Sequence, residues 1–228
     1  MPAEDFGPRL YGRAQGHTLK PRQAKLVETL LPTLALPKTM GARTDIVPDD
    51  MPLWLEIGFG GAEHLIAQAK NNPGICLIGI EPYLNGVAKA LVGVDENGLQ
   101  NLRLERGDAR LILQSMPDAV LDRIFILYPD PWPKKRHHKR RLVQADFVDA
   151  LARVLKPGGR LRFASDIDHY QAWALAHILD SGHFDWTASC ANDWRMAPGD
   201  HFPTRYEGKA KKAGRPCAWL DFVRKQRG

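Results

Sequence analysis

The stretch LWLEIGFGGA at residues 53–62 decides the fold that we predict for this chain. Its apolar half, which ends at Ile57, is short and bounded by turn residues, as in a buried β-strand. Glycines at positions 58, 60 and 61 allow a tight turn and let the backbone approach a ligand closely. An amphipathic stretch begins at Ala62, so the segment predicts a strand, a turn and a helix in succession.

Short apolar runs alternate with longer amphipathic stretches from residue 53 onward. They predict strands at residues 53–58, 75–81, 102–106, 122–128, 160–164, 186–190 and 218–224. Helices are predicted between them at residues 62–70, 84–96, 110–116, 144–155 and 168–181. Such alternation is typical of βαβ units with right-handed crossovers. The predicted fold class is therefore α/β: a doubly wound, mostly parallel seven-stranded sheet with helices on both faces and an antiparallel last strand.

The 228 residues are predicted to form one α/β domain preceded by an extension. Residues 1–52 are rich in Pro, Gly, Arg and Lys and are interpreted as an N-terminal basic extension, amphipathic only at residues 23–31. The domain would occupy residues 53–228. The polar stretch at residues 193–214 is predicted to be a loop that joins the last two strands.

The composition argues against several classes of protein. With 44% hydrophobic and 25% charged residues the chain resembles an ordinary globular protein, and no run approaches the roughly 18 apolar residues of a membrane span. The cysteines Cys76, Cys190 and Cys217 share no ligand spacing with the histidines, so we expect neither a metal nor a disulfide framework. We expect a cytoplasmic protein with no membrane partner. The net charge of +6 says little about partners, because clustering of charge matters more than its sum.

The glycine turn does not match the usual phosphate-binding motifs. The dinucleotide motif GxGxxG needs glycine at position 63, which is Glu63, and its carboxylate would repel a pyrophosphate at the helix start. The motif GxxxxGK[ST] is also absent. The turn is therefore expected to approach a ligand without phosphates.

Three carboxylates are predicted to lie at the ends of three consecutive strands. Glu56 stands two residues before the first glycine, Glu81 ends the second strand and Asp108 ends the third. A carboxylate at the position of Glu81 can accept both ribose hydroxyls of an adenosine. Together the acids suit a cationic nucleoside such as S-adenosylmethionine, which carries a sulfonium and an ammonium group. The alternative is that strand-end acids only cap helices.

A second informative stretch is IFILYPDPWPKKRHHKRRL at residues 124–142. An apolar run passes into Asp130, which stands in a loop stiffened by Pro131 and Pro133. Six lysines or arginines and two histidines follow at positions 134–141. Such a run is usually a solvated face, but this one lies between a predicted strand and helix and adjoins the acid. We therefore predict a reaction centre beside a surface that binds a polyanion, as in an enzyme that acts on nucleic acid.

The motifs taken together resemble one known family, the bacterial tRNA (guanine-N7-)-methyltransferases, which are class I S-adenosylmethionine-dependent enzymes. The resemblance extends from about residue 9 to the end of the chain, and residues 129–141 are its most specific part. The matching pieces are LEIGFG at 55–60, GIEPY at 79–83, GDAR at 107–110, YPDPWPKKRHHKRRL at 128–142, FASDIDHY at 163–170 and TRYEG at 204–208. The chain departs from the family at Ala62, often a third glycine, and at Arg205-Tyr206, where Lys-Phe is common.

The resemblance implies transfer of the methyl group of S-adenosylmethionine to N7 of a guanosine in the variable loop of tRNA, by a monomer or a homodimer. It implies a catalytic role for Asp130 and cofactor contacts at Glu56, Gly58, Gly60, Glu81, Asp108, Ala109 and Asp130. It implies substrate contacts at Lys134, Asp166, Thr204, Arg205, Tyr206 and Glu207. The implied RNA-binding residues are Arg136, His137, His138, Lys139, Arg140 and Arg141.

The chemistry of guanine N7 agrees with the residues available. N7 carries a lone pair and no proton, so no strong base is needed and alignment and electrostatics should dominate catalysis. Asp130 could accept hydrogen bonds from the guanine N1–H and exocyclic amine, which would select guanine and balance the charge that methylation adds.

Several alternatives remain open at this point. Asp130 could be a plain turn acid, Trp132 could stack on the base or belong to the core, and Asp166 could cap the helix that starts near residue 168. The runner-up function is a methyltransferase of the same fold acting on another RNA or on an exocyclic base amine. A non-catalytic RNA-binding protein would be expected to lack the strand-end acids, and a nicotinamide oxidoreductase is disfavoured by Glu63. Further basic residues are expected to widen the RNA footprint: Arg9, Arg13, Lys20, Arg22, Lys209, Lys211, Lys212 and Arg215.

Overall fold

The computed structural model describes residues 16–48 and 50–226, and in this part of the chain seven strands form one sheet. The strands are β1 (Leu53–Ile57), β2 (Cys76–Ile80), β3 (Leu102–Glu105), β4 (Leu121–Leu127), β5 (Leu155–Ser165), β6 (Phe184–Trp186) and β7 (Ala218–Arg224). Their order is β3-β2-β1-β4-β5-β7-β6, in which every pairing among the first five strands is parallel and β7 is antiparallel to both neighbours. The predicted fold class is confirmed.

Helices cover both faces of this sheet. They are α1 (Pro21–Thr29), α2 (Leu31–Leu34), α3 (Glu63–Asn71), α4 (Leu84–Asn97), α5 (Ala109–Ser115), α6 (Ala145–Val154), α7 (Asp168–Asp180), α8 (Asn192–Arg195) and α9 (Arg205–Lys212). Within β2, Leu77 packs in the cluster that contains α3 and α4, whereas Ile78 packs in the cluster that contains α5, α6 and α7. Strand β2 carries no polar side chain because both of its faces are buried.

The strand order reverses between β1 and β4, which makes this position the switch point of the sheet. Open α/β sheets bind their ligands beyond the carboxyl ends of the strands at such a point. The glycine turn follows β1, and the loop that carries Asp130 follows β4. Both candidate segments therefore flank the switch point.

Two predicted elements differ from the observed ones. The sixth strand was placed at residues 186–190, but β6 ends at Trp186. The reason is local, because the Asp193 carboxylate accepts hydrogen bonds from the backbone N–H groups of Ser189 and Cys190, at 2.8 and 2.9 Å, and turns the chain there. The loop predicted at residues 193–214 is also wrong, since it overlaps α8 and contains α9.

The segment before β1 is packed on the domain. Helix α1 lies on α4, where Arg22 bridges Asp95 and Glu96 at 2.8 Å each. Met40 and Ile46 are buried in the larger core cluster. Within residues 16–48 and 50–226, no helix combines the length and apolarity that crossing a membrane requires.

Candidate functional site

The turn after β1 adopts a backbone that glycine favours. Gly58, Gly60 and Ala62 all have positive φ, at +72°, +54° and +66°. The left-handed conformation of Ala62 carries a penalty that a glycine would not. A Cβ added to Gly86 of α4 would lie 2.5 Å from the Gly60 carbonyl oxygen, so α4 holds the turn at close range.

Glu81 ties this turn to the end of β2. Its Oε2 accepts a hydrogen bond from the Gly60 N–H at 2.7 Å, and its Oε1 accepts one from the Tyr83 N–H at 3.0 Å. The residue is 6% exposed, and burial raises the pKa of its carboxyl; the negative charge of Asp130 raises this pKa further, whereas Arg205 opposes the rise. A buried carboxylate with a raised pKa is a favourable place for a cationic ligand.

Glu56 is 2% exposed and is held from the side of α3. Its Oε2 lies 2.8 Å from Nδ1 of His64, and the Gln68 amide nitrogen lies 3.1 Å from Nε2 of the same ring. The Gln68 amide also donates to the carbonyl oxygen of Asp200 at 2.8 Å. Since the amide donates to Nε2, the ring carries its proton on Nδ1 and donates it to Glu56. Sequence reasoning missed His64, although it lies eight residues from Glu56.

Asp108 is the residue for which the capping alternative holds. It is the N-cap of α5, and its Oδ1 accepts hydrogen bonds from both the backbone N–H and the Nε–H of Arg110 at 3.0 Å. Ala109, the first residue of α5, is buried beside it. Capping fixes the direction of the Asp108 carboxylate, and a ligand contact for either residue stays a prediction.

The loop that carries Asp130 is conformationally unusual. Tyr128 and Trp132, on either side of it, have φ of +53° and +41°, a region that bulky side chains rarely adopt. Such conformations cluster at functional sites, where the surroundings hold them. The Asp130 side chain is open to solvent on one side, yet partial burial by the flanking protein raises the pKa of its carboxyl.

The basic segment forms a 3₁₀-helix, Lys135–Arg140, with three residues per turn. His137 and Arg140 are three residues apart, and both lie against the ring of Trp132. The ring centroids of His137 and Trp132 are 5.8 Å apart, and the Arg140 guanidinium carbon lies 5.1 Å from the Trp132 centroid. Trp132 is thus half-buried against this segment and not in the core. His138 contacts the ring of Trp173 on another face, at 5.3 Å. The exposed members of the run are Lys134, Lys135, Arg136 and Lys139.

Arg141 departs from the predicted RNA surface. It follows the 3₁₀-helix and is 2% exposed, with its guanidinium 4.8 Å from the centroid of the Trp173 ring. Its Nε–H donates to the Pro131 carbonyl oxygen at 2.9 Å. The buried Arg141 side chain is therefore not among the residues that we propose to contact RNA.

Helix α9 covers the glycine turn. A Cβ added to Gly60 would lie 3.2 Å from Cε2 of Tyr206 and 3.5 Å from Nη2 of Arg205. Thr204 caps the helix by accepting a hydrogen bond from the Glu207 N–H at 3.2 Å. A Thr followed by Glu three residues later is the capping-box spacing, so the sequence did carry a signal for this helix.

Glu207 is buried beneath the first turn of α9. Its two oxygens lie 2.7 Å from Nε2 of His201 and 2.6 Å from Nζ of Lys211. Burial alone would raise the pKa of this carboxyl, but the two hydrogen bonds outweigh it and the pKa is lowered. The Glu207 carboxylate therefore ties the first turn of α9 to His201, which precedes the helix in the chain.

Asp166, after β5, binds a basic residue of this chain. The Nε–H and Nη2–H of Arg215 both donate to its Oδ2 at 2.7 Å. Helix α7 starts at Asp168 with Ile167 as its N-cap, so Asp166 does not cap it. Pairing with acids also occupies Arg22 and Lys211, and Arg9 and Arg13 lie outside the described residues.

The structure thus brings the acids of the predicted cofactor site to the same edge of the sheet as the basic segment. Asp130 and Arg205 are both close enough to Glu81 to change the pKa of its carboxyl electrostatically. Among residues 16–48 and 50–226, no group of histidine, cysteine or acidic side chains is arranged to hold a metal ion.

Comparison with known proteins identifies the family. A family model described as "Putative methyltransferase" matches residues 50–220. A tRNA (guanine-N(7)-)-methyltransferase of Hyphomonas neptunium is 49% identical over 216 residues, covering 94% of this chain and 98% of the relative. One of Caulobacter vibrioides is 47% identical over 98% of each chain. The crystal structure of an aminoglycoside resistance methyltransferase shares the fold, with a TM-score of 0.53 at 16% identity over 76% of this chain and 87% of that one. The chain belongs to the tRNA (guanine-N(7)-)-methyltransferase family.

Proposed function

We propose that this chain transfers the methyl group of S-adenosylmethionine to N7 of a guanosine in the variable loop of tRNA. The observation that carries the proposal is the position of Asp130. It follows β4 at the switch point of the sheet, is near enough to the buried Glu81 to raise the pKa of its carboxyl, and stands four residues before the exposed Lys134. The relatives, which share almost half of their residues with this chain, support the choice of base and nucleic acid.

The residues at the switch point fit this cofactor. S-adenosylmethionine has two cationic groups and no phosphate, and Glu81 combines burial with a raised pKa, which a neighbouring cation would relieve. Glu63, the first residue of α3, places a carboxylate where a phosphate would otherwise bind. The residues proposed to hold the cofactor are Glu56, Gly58, Gly60, Glu81, Asp108, Ala109 and Asp130.

The cofactor supplies an electrophilic methyl group on its sulfonium, and the protein supplies alignment. Guanine N7 needs no base, so Asp130 acts by accepting hydrogen bonds from N1–H and the exocyclic amine of the base. Its carboxylate is exposed to an incoming base, and hydrogen bonds to a charged acceptor are stronger than those to a neutral one. Its negative charge also balances the positive charge that the base gains.

The tRNA would lie across the basic segment and the start of α9. Lys134, Arg136 and Lys139 present exposed charges for phosphates, which position the RNA without reading its sequence. His137, His138 and Arg140 would border that surface. Asp166, Thr204, Arg205 and Tyr206 are proposed to contact the nucleoside, since Arg205 and Tyr206 already border the glycine turn. Glu207, which is buried and bound to His201 and Lys211, is proposed to hold this helix start in place.

The test is incubation of the purified protein with unmodified tRNA and labelled S-adenosylmethionine, followed by digestion and identification of the labelled nucleoside. We expect 7-methylguanosine only, and its loss when the variable-loop guanosine is replaced by adenosine. Asp130→Asn should abolish turnover, whereas Asp180→Asn, at the exposed end of α7, should not change it. Label in an exocyclic amine, or equal transfer to an unrelated RNA, would support the runner-up function.

A further inference from the structure

Arg141 ends a run of exposed basic residues but points into the protein. Lys139, two residues earlier, is exposed, whereas Arg141 is 2% exposed. An RNA phosphate reaches exposed cations, so a buried guanidinium at the end of this run needs another explanation.

Most of the Arg141 guanidinium group is in contact with other residues. Its Nε–H donates to the Pro131 carbonyl oxygen at 2.9 Å, and its Nη2–H donates to Nδ1 of His169 at 2.8 Å. The guanidinium carbon lies 5.0 Å from the ring centroid of Tyr170 and 4.8 Å from that of Trp173. Aromatic faces stabilise a buried cation that has left water. Arg141 is therefore held by α7 on one side and binds the loop of Asp130 on the other.

The carbonyl that Arg141 holds belongs to the peptide unit between Pro131 and Trp132. The orientation of this unit is coupled to the φ of Trp132, which is +41°. A large aromatic residue keeps such a φ only where its surroundings fix it. Asp130 directly precedes Pro131, so holding this peptide unit restricts the conformations of the loop that carries the Asp130 carboxylate.

We propose that Arg141 is a positioning residue that fixes the loop carrying Asp130 in the conformation needed for methyl transfer, and that it does not contact RNA. This inference rests on the proposed function of Asp130. Lysine cannot replace Arg141, because an ammonium group lacks the planar pair of donors that reaches two acceptors in fixed directions.

The test compares Arg141→Lys with Lys139→Gln in the full chain. Arg141→Lys should lower kcat at saturating tRNA by about tenfold or more, because misplacement of a reacting group by an ångström has effects of this size. The KM of Arg141→Lys for tRNA should change with salt concentration as that of the wild type does. Lys139→Gln should show the opposite pattern, a higher KM for tRNA and a salt slope reduced by about one phosphate contact.

Two further measurements keep the proposal testable if Arg141→Lys unfolds. His169 is exposed, so His169→Ala should leave the core intact; it should lower kcat, and His169→Asn, which keeps an acceptor, should restore it. Hydrogen exchange gives a readout without activity. Within residues 128–133 only Tyr128, Asp130 and Trp132 carry an amide hydrogen, and exchange there should accelerate in Arg141→Lys but not in Lys139→Gln.

The inference is overturned if Arg141→Lys keeps the wild-type kcat, or if exchange in residues 128–133 is unchanged. Failure of the proposed function is a different result. In that case the wild type itself forms no 7-methylguanosine, while accelerated exchange in Arg141→Lys still supports the role of Arg141 in holding the loop.

Discussion

Replacing Glu81 by glutamine is the sharpest test of the cofactor site, because it removes a charge and leaves the shape of the side chain. In the wild type the carboxylate accepts two backbone hydrogen bonds, from Gly60 at 2.7 Å and Tyr83 at 3.0 Å. An amide has one oxygen that accepts and one nitrogen that cannot, so one of the two N–H groups loses its partner.

The effect on folding should be small. A hydrogen bond to a charged group contributes about 1.5–3 kcal/mol, but the raised pKa of Glu81 shows that burial of this charge is itself unfavourable. Removing the charge returns part of that free energy. We expect the free energy of unfolding to fall by about 1 kcal/mol or less.

The effect on the cofactor should be large. If Glu81 holds the cofactor as proposed, the glutamine loses the charge-assisted hydrogen bonds to the ribose hydroxyls and the attraction to the cationic groups. A loss of about 1.5–3 kcal/mol corresponds to a dissociation constant roughly 10- to 150-fold higher. Isothermal titration of S-adenosylmethionine into the wild type and Glu81→Gln measures this ratio directly.

Glu105→Gln is the matched control. Glu105 ends the neighbouring strand β3, is half-buried, and has a pKa raised by burial and opposed by a hydrogen bond from the Leu36 backbone. Its replacement should change cofactor affinity by less than about twofold. Our reasoning is refuted if Glu81→Gln binds within twofold of the wild type, or if Glu105→Gln weakens binding equally.

Three further predictions concern pH, the cap of α9 and the histidine beneath the turn. Burial raises the pKa of the Glu81 and Asp130 carboxyl groups, so their protonated forms stabilise the fold at low pH. This stabilisation is lost as pH rises through the raised pKa values. A bound cation, in contrast, favours the ionised carboxylates. The thermal shift caused by S-adenosylmethionine should therefore grow between about pH 4 and pH 7, and a flat profile in scanning fluorimetry would contradict this. Thr204→Val should cost about 1 kcal/mol in urea unfolding, with Thr204→Ser close to the wild type. His64→Phe leaves the buried Glu56 carboxylate without its donor and should cost about 3 kcal/mol in the same assay; a loss below 1 kcal/mol would mean that solvent or another group replaces it.

The sequence predicts the sheet well because the apolar pattern that identifies a strand lies within a few consecutive residues. Leu77 and Ile78 are adjacent, and both must be apolar since one faces each layer of helices. The same reasoning fails for β6, where a side chain at position 193 ends the strand by binding backbone groups at 189 and 190. A pattern of apolar residues does not record that competition.

The site is predictable only to the extent that it lies at strand ends. Glu81 and Asp130 follow strands β2 and β4, so topology alone brings them together. The rings of His64 and His201 lie 5.8 Å apart, but their separation along the chain hides this contact from any local pattern. Thr204 is a different case, because the Thr-x-x-Glu spacing was readable and the surrounding basic composition obscured it.

The basic segment shows why a charge run cannot be interpreted by counting. A 3₁₀-helix repeats every three residues, which gives the run distinct faces. His138 and the buried Arg141 share the face against Trp173, whereas Arg136 and Lys139 share the face toward solvent. Because counterion release depends on the cations that reach phosphates, the salt dependence contributed by this segment should be set mainly by its exposed charges. The buried charge of Arg141 adds nothing to that salt dependence; it binds the Pro131 carbonyl oxygen, and by our proposal it orders the loop on which methyl transfer depends.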